Sequence, residues 1–430
     1  MDRRTFVSAT ASFASAPLVR RFGGGAPLHV NGERLNGWLS RFDAVGRTPG
    51  GINRVAYSEN DLAGRAFTLA LFRETGLSPR IDAAGNIIAR VEGTDRSLAP
   101  IVIGSHVDSV TDGGNFDGPV GSFGAIEVAR SLREQNVRLR HPLEVVVWSN
   151  EEGGVIGSKL AVGQLAKVDL NGVARSGKTI REGIGIVGGD VTRLADAVRP
   201  KGSVATYIEL HIEQGGLLEK AGVLIGVVTG IVGLRFTDVT ITGFANHAGA
   251  TPMDQRQDAL LAAAKFVVAV NDAIRAEPGR QVATVGRLVP SPNTRNVIPG
   301  EVQLTVDLRD LDATRLARFG ATFVRLGREI GAATNTTFAF KDNNAGDPAF
   351  AAPHVMEWIE RSVAALGLTR QRMPSGAGHD AQELSLVGPM GMIFIPSVGG
   401  VSHSPREFSH AADITRGADV LLNAVLGADR

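Results

Sequence analysis

A mixed β-sheet covered by helices and split by a small inserted α+β domain is the α/β fold predicted for this 430-residue chain. Three observations carry that prediction. Short aliphatic, β-branched runs alternate with helical periodicity from about residue 35 to residue 228. At Gly230 the pattern changes to a self-contained strand–helix–strand–strand–helix–strand order. Near residue 345 the first pattern resumes and runs to the C-terminus.

Helical periodicity covers 60–75, 120–135 and 159–166, and strand patterns cover 86–91, 101–105, 143–148, 207–210 and 223–228. The stretch 169–199 is polar and glycine-containing, with one short helix expected near its end. In the insert, 236–243 alternates as a half-buried strand and 254–276 is helical. Strands at 282–289 and 302–309, a helix at 313–332 and a strand at 337–341 complete it. A helix at 353–366, a strand at 392–397 and a last helix from Ala411 follow. No repeat, coiled coil or low-complexity segment is present.

The composition narrows the function. The length is sufficient for two or three domains with ample core. The net charge of +1 gives no electrostatic case for nucleic acid. No apolar run reaches the ~20 residues that span a bilayer. The absence of cysteine excludes disulfides, thiolate nucleophiles and Cys-ligated metal sites. The N-terminal segment reads as an address. Asp2-Arg3-Arg4-Thr5-Phe6-Val7 resembles a twin-arginine export motif, and a mildly apolar Ala/Ser-rich stretch follows to Val19. Ala14-Ser15-Ala16 has the small-x-small pattern of a cleavage site, although Pro17 disfavours a cut directly after it. Export to the periplasm is expected, with a cytoplasmic location as the alternative.

The chemistry concentrates just past the ends of apolar strands, where open α/β sheets place their ligands. Gly104-Ser105-His106-Val107-Asp108-Ser109 follows Ile101-Val102-Ile103 and leads into Gly113-Gly114-Asn115-Phe116-Asp117-Gly118. Glu151-Glu152 follows Val145-Val146-Val147-Trp148, His211 sits in Glu209-Leu210-His211-Ile212-Glu213-Gln214, and His403 lies near the C-terminus. Three histidines with several carboxylates at strand ends read as a two-metal hydrolytic site, and imidazole and carboxylate donors without thiolate suit Zn²⁺, Mn²⁺ or Co²⁺. Two adjacent glutamates near a strand end point different ways, so Glu152 can face a metal while Glu151 reaches a water beside it.

These segments, with His247-Ala248-Gly249-Ala250-Thr251-Pro252-Met253, Arg295-Asn296-Val297-Ile298-Pro299, Asp307-Leu308-Arg309, Ser375-Gly376-Ala377-Gly378-His379-Asp380-Ala381 and Gly399-Gly400-Val401-Ser402-His403-Ser404-Pro405, run in order across about 300 residues. In this the chain resembles the amidase/hydantoinase/carbamoylase family of di-metal hydrolases. That family includes N-carbamoyl-L-amino-acid hydrolases, allantoate amidohydrolases and ureidoglycolate amidohydrolases, and it is related to di-zinc aminoacylases and peptidases. One departure stands out. After Glu152 many members have an Arg-Phe pair and a longer loop, whereas this chain reads Gly153-Gly154-Val155-Ile156-Gly157-Ser158, so a different local pocket wall is expected.

After the leader expected at 1–26 from the twin-arginine motif, the resemblance implies a catalytic domain in two halves, 27–229 and 343–430, around a lid and dimerisation domain at 230–342. It implies two divalent ions per subunit, one held by His106, Asp117 and His211, the other by Asp117, Glu152 and His403, with Asp117 bridging. Glu151 is then the general base, and Asp108 fits a partner fixing the His106 tautomer. Arg309 would clamp a substrate carboxylate, Gln214 and Asn296 would add amide donors, and Gly376 would line the substrate site. His247 would steady the oxyanion, reaching the site from the small domain and in some members from the partner subunit, which implies a homodimer and a closure. His379 has no ligand role in the family and reads as structural or pocket-forming. The expected reaction is hydrolysis of a linear ureido bond in a small carboxylic acid, with an aminoacylase or dipeptidase on the same metals as the alternative. Ser404 and Gly399-Gly400 lean slightly toward allantoate. A non-catalytic binding protein would lack a ligand or the base, and none is missing.

Overall fold

The computed structural model describes residues 26–430, so the twin-arginine motif and the Ala14-Ser15-Ala16 pattern lie outside the described residues. The main sheet has nine strands. Its path runs Ala349–Phe350, Ile225–Ile231, Met390–Ile395, Thr206–Ile212, Ile101–His106, Leu143–Trp148, Ile87–Val91 and Pro79–Ile81, and Arg370–Ser375 also pairs with Ile225–Ile231. The four central strands from Met390–Ile395 to Leu143–Trp148 are mutually parallel, while Ile87–Val91 and Pro79–Ile81 continue antiparallel, making the sheet mixed as expected. Every residue of Ile101–His106, Leu143–Trp148 and Thr206–Ile212 is buried, which is why these strands read as apolar runs and not as alternation.

Helices Gly32–Phe42, Pro119–Glu134, Pro353–Ala365 and Ala411–Ala428 share the larger hydrophobic core. Phe123 is fully buried there, its ring 4.9 Å from that of Phe42 in an edge-on contact. A second core, including Trp148, Tyr207, Leu384 and Met392, lies under the short helices Ile156–Ala161 and Asp380–Leu384. No described helix is long and apolar enough to cross a membrane.

The insert forms its own four-stranded antiparallel sheet in the order Val282–Ser291, Glu301–Asp310, Gly233–Thr242, Thr337–Gly346. Helices Ala259–Arg275 and Ala313–Thr334 pack against it. The period-2 signal is clear in Glu301–Asp310, which buries Val302, Leu304, Val306 and Leu308 on one face. The first insert helix begins at Ala259, later than expected, because the Asp258 side chain accepts from the Leu260 and Leu261 N–H groups and caps it there. The helix expected at 159–166 is Ile156–Ala161; the short helix expected near the end of 169–199 is the 3-10 turn Leu194–Ala197, and Ile180–Ile186, opened by a Thr179/Glu182 capping box, precedes it.

Candidate metal centre

Because the four central strands are parallel, their carboxyl ends share one sheet edge. His106 ends one strand, His211 is next to last in another, and Glu151 and Glu152 lie just beyond Trp148. His403 lies on the segment leading from Met390–Ile395 to the last helix, and Asp117 lies between His106 and the helix Pro119–Glu134. Glycine is required at 118: its φ is +82°, and a Cβ there would fall 2.5 Å from the His106 ring.

Asp117 stands at the centre. Its Oδ1 lies 3.1 Å from His211 Nε2 and 3.5 Å from His106 Nε2. Its Oδ2 lies 3.4 Å from His403 Nε2, which is 3.5 Å from Glu152 Oε1. The five expected ligands thus form two groups, each with its donor atoms within 4.8 Å of one another and with Asp117 common to both. The two imidazoles of the inner group are set for a cation. His106 Nδ1 lies 3.1 Å from the Asp108 carbonyl and His211 Nδ1 lies 2.8 Å from the Ile212 carbonyl, so each Nδ1–H is spent on backbone. Their Nε2 atoms are buried with no hydrogen-bond partner. A buried lone pair without a donor fits a metal ion, and the oxygen and imidazole donor set fits a divalent one.

The expected role of Asp108 changes. Its carboxylate is 3.7 Å from His106 Nδ1, too far for a hydrogen bond, and its backbone carbonyl fixes the ring. The carboxylate instead accepts from the Glu151 N–H (3.2 Å) and the Glu152 N–H (3.1 Å), anchoring the turn that carries both glutamates. That turn is tightly wound: Asn150, Gly154 and Val155 all have positive φ, and a β-branched residue such as Val155 rarely adopts this region. It occupies the place of the loop where the sequence departs from the family pattern.

Glu151 is buried, with Oε2 3.7 Å from His106 Nε2. Burial, with the nearby charges of Asp380, Glu152 and Asp108, pushes its carboxyl well above the usual range, as suits a proton acceptor that later donates. Burial and then Asp117 push Glu152 up to about 7. The hydrogen bond to Asp117 raises His403 to about 9, against the lowering effect of burial. With His403 Nε2 as a ligand, a proton and a metal would compete for it, so metal uptake is expected to release a proton below about pH 9 and to weaken as pH falls. Calorimetric titration of Zn²⁺ at pH 7 in buffers of differing ionisation enthalpy measures that release; buffer-independent heats would contradict it.

His379 behaves as expected of a structural residue. It is buried, its Nε2 is 2.8 Å from Ser375 Oγ, and its ring meets that of His211 edge-on at 4.5 Å. Burial, with His211 beside it, holds it well below the usual histidine range, hence neutral.

Next to His403 a cavity of about 490 Å³ is bounded by Gln214, Leu217, Arg309, Met373 and Gly376. Gln214, expected as a substrate donor, gives its Nε2–H to Asp117 Oδ2 at 2.6 Å while lining this cavity. Arg309 reaches from the insert to the segment after strand Arg370–Ser375, donating from Nη1 to the Gly376 carbonyl at 2.9 Å. Asp307 takes Nε and Nη2, the latter at 2.8 Å. Of the five guanidinium N–H groups, one on each terminal nitrogen stays free among the described residues.

His247 and Asn296 lie together on the insert, where Asn246–His247 pairs with Val297–Ile298, but they do not line the cavity. The exposed His247 ring accepts at Nδ1 from the Gly249 and Ala250 N–H groups at 3.0 and 3.1 Å. With Nδ1 accepting, the ring N–H is on Nε2, which is left as a donor.

Two buried acids carry the site without having been singled out in the sequence. Glu209 accepts from Ser105 Oγ at 2.8 Å and Tyr207 OH at 3.1 Å beneath His211, and a charged residue inside an apolar strand was its one signal. Glu407 lies behind Asp117 and His403 and gave no periodic signal at all.

A helix-covered mixed sheet with histidines and carboxylates gathered around one aspartate at its edge fits a hydrolase with donors for divalent metal. The chain belongs to peptidase family M20/M25/M40, whose model matches residues 102–427. It is 39% identical over 402 residues to an N-carbamoyl-L-amino acid amidohydrolase of Geobacillus stearothermophilus, covering 92% of this chain and 98% of that one. It is 33% identical to a ureidoglycolate hydrolase of Oryza sativa subsp. japonica, covering 94% and 86%. Among solved structures, an amidase of the hydantoinase/carbamoylase family from Burkholderia multivorans superposes with a TM-score of 0.84 at 37% identity, covering 93% of this chain and 98% of that one.

Proposed function

We propose that the protein hydrolyses the carbon–nitrogen bond of a linear ureido group on a small carboxylic acid. An N-carbamoyl-L-amino acid, ureidoglycolate or allantoate fits, with release of ammonia and carbon dioxide. The observation that carries this reading is that His403, a member of the Asp117-centred cluster, lines the same cavity as an arginine that, among the described residues, keeps a free N–H on each terminal nitrogen. The relatives at 33–39% identity support it by name.

His106, Asp117 and His211 would hold one divalent ion and Asp117, Glu152 and His403 a second. Such ions polarise the ureido carbonyl and lower the pKa of a bound water. The chain's own residues do the rest. Glu151 takes the proton of the attacking water as its oxygen bonds to the ureido carbon, and returns it to the departing nitrogen as the C–N bond breaks. The carbamate left behind loses carbon dioxide. Arg309 holds the substrate carboxylate, and Asp307 fixes the plane of its guanidinium. His247 offers Nε2–H to the oxyanion after closure of the lid, its own or that of a second copy. The insert's edge strand, with Val282, Leu288 and Val289 exposed, supports a homodimer, for which sedimentation at the monomer mass would be contrary evidence.

The test is ammonia release by metal-loaded protein across N-carbamoyl-amino acids, ureidoglycolate, allantoate, N-acetyl-amino acids and dipeptides. Turnover confined to the last two classes would replace this reading with an aminoacylase or dipeptidase. Arg309→Ala is expected to cost about 2–5 kcal/mol of transition-state binding in kcat/KM. Lys should restore little, since it lacks the planar fork. An amide analogue of the substrate should be poor for the wild type and suffer little further from the mutation; equal losses for acid and amide would make Arg309 structural.

For location, we infer twin-arginine export from Arg3-Arg4. Residues 1–35 fused to a reporter should carry it to the periplasm, and an Arg3→Lys/Arg4→Lys version should not. Equal export of both would remove this reading.

A further inference from the structure

We propose that Glu407 is the positioning residue that sets the two halves of the metal centre against each other, so that its carboxylate governs how tightly the outer ion is held. This rests on Asp117 and His403 acting as ligands. Glu407 is 5% exposed and does not line the substrate cavity. One oxygen, Oε1, accepts from the Phe116 N–H at 2.8 Å and the Asp117 N–H at 3.0 Å. The other, Oε2, accepts from Ser402 Oγ at 2.8 Å and the His403 N–H at 3.3 Å. One buried carboxylate therefore ties the backbone of the shared aspartate to that of the outer histidine, two loops about 290 residues apart in sequence. Ser402 Oγ also lies 2.9 Å from Asp117 Oδ2, between the two acids.

Two further features fit this role. His403 sits at φ +53°, a backbone state that side chains rarely adopt unless held, and its N–H is one of the four donors on Glu407. Gly114 leaves room for the acid: a Cβ there would fall 2.3 Å from Glu407 Cβ and Oε1. Only a carboxylate can receive donors on both atoms. Glutamine would turn an NH₂ toward donors on one side, and aspartate is one methylene short of bridging the loops. Partners of this kind typically change metal affinity by 10–100-fold.

The experiment titrates Zn²⁺ into chelator-stripped protein against a chromogenic chelator, for wild type, Glu407→Gln and Gly114→Ala, with melting followed in excess EDTA. Wild type should bind two ions. Glu407→Gln should remain folded, lose about 10–100-fold in affinity for the weaker ion and much less for the tighter one. Its kcat should recover at high Zn²⁺ with KM unchanged. Gly114→Ala touches no ligand and should shift the same ion in the same direction. Affinities within twofold of wild type in a folded Glu407→Gln would overturn the proposal. So would equal weakening of both ions in step with a lower melting temperature in EDTA, which marks general loosening. If Glu407→Gln does not fold, Gly114→Ala decides by the same criteria. A wild type that binds no Zn²⁺ would instead fault the metal assignment beneath it.

Discussion

Glu151→Gln is expected to keep its metal content and lose about 10²–10⁴-fold in kcat, the range that general acid–base groups supply. The substitution preserves shape and removes the proton acceptor. It should spare the turn, because what anchors the turn to Asp108 is the backbone N–H of Glu151 and of Glu152, not the side chain. The measurement pairs metal analysis with steady-state ammonia release. Near-wild-type turnover at normal metal content would take the role of base away from Glu151. Loss of metal would make it a ligand, beside His106 Nε2 at 3.7 Å.

Asp117→Ala is expected to abolish activity by another route, through loss of bound metal. Both donor groups include this residue, one through each carboxylate oxygen, so no other single truncation removes a donor from each. Its backbone stays tied through the Asp117 N–H to Glu407, so the loop has reason to persist without the side chain. Asp117→Asn, which keeps one oxygen, should retain one ion at most. Full occupancy by two ions in Asp117→Ala would refute the shared-carboxylate assignment.

The readable parts of this chain were those with a period or a dense motif. The fully buried strands, the alternation in Glu301–Asp310 and the residues flanking strand ends led to the sheet, the insert and the five side chains grouped around Asp117. Helix Gly32–Phe42 was missed, although Leu35, Trp38, Leu39 and Phe42 form its buried face after the Asn31 cap, because it is one short helix ahead of the alternating pattern. Strand Arg370–Ser375 carries alternating charge on a sheet margin and gives no apolar signal. Asp108 was placed in the right neighbourhood with the wrong contact. Spacing puts it near His106, but only coordinates distinguish its carbonyl from its carboxylate. Glu407 depends on a tertiary approach between loops far apart in sequence, which no local pattern encodes.

The most direct test of the central assignment is a crystal structure of the metal-loaded protein with anomalous data at the metal edge. Two ions about 3.5–4 Å apart are expected, one on each oxygen of Asp117. One should lie against His106 and His211 and the other against Glu152 and His403. A single ion at full metal saturation, or two ions that do not share Asp117, would contradict it.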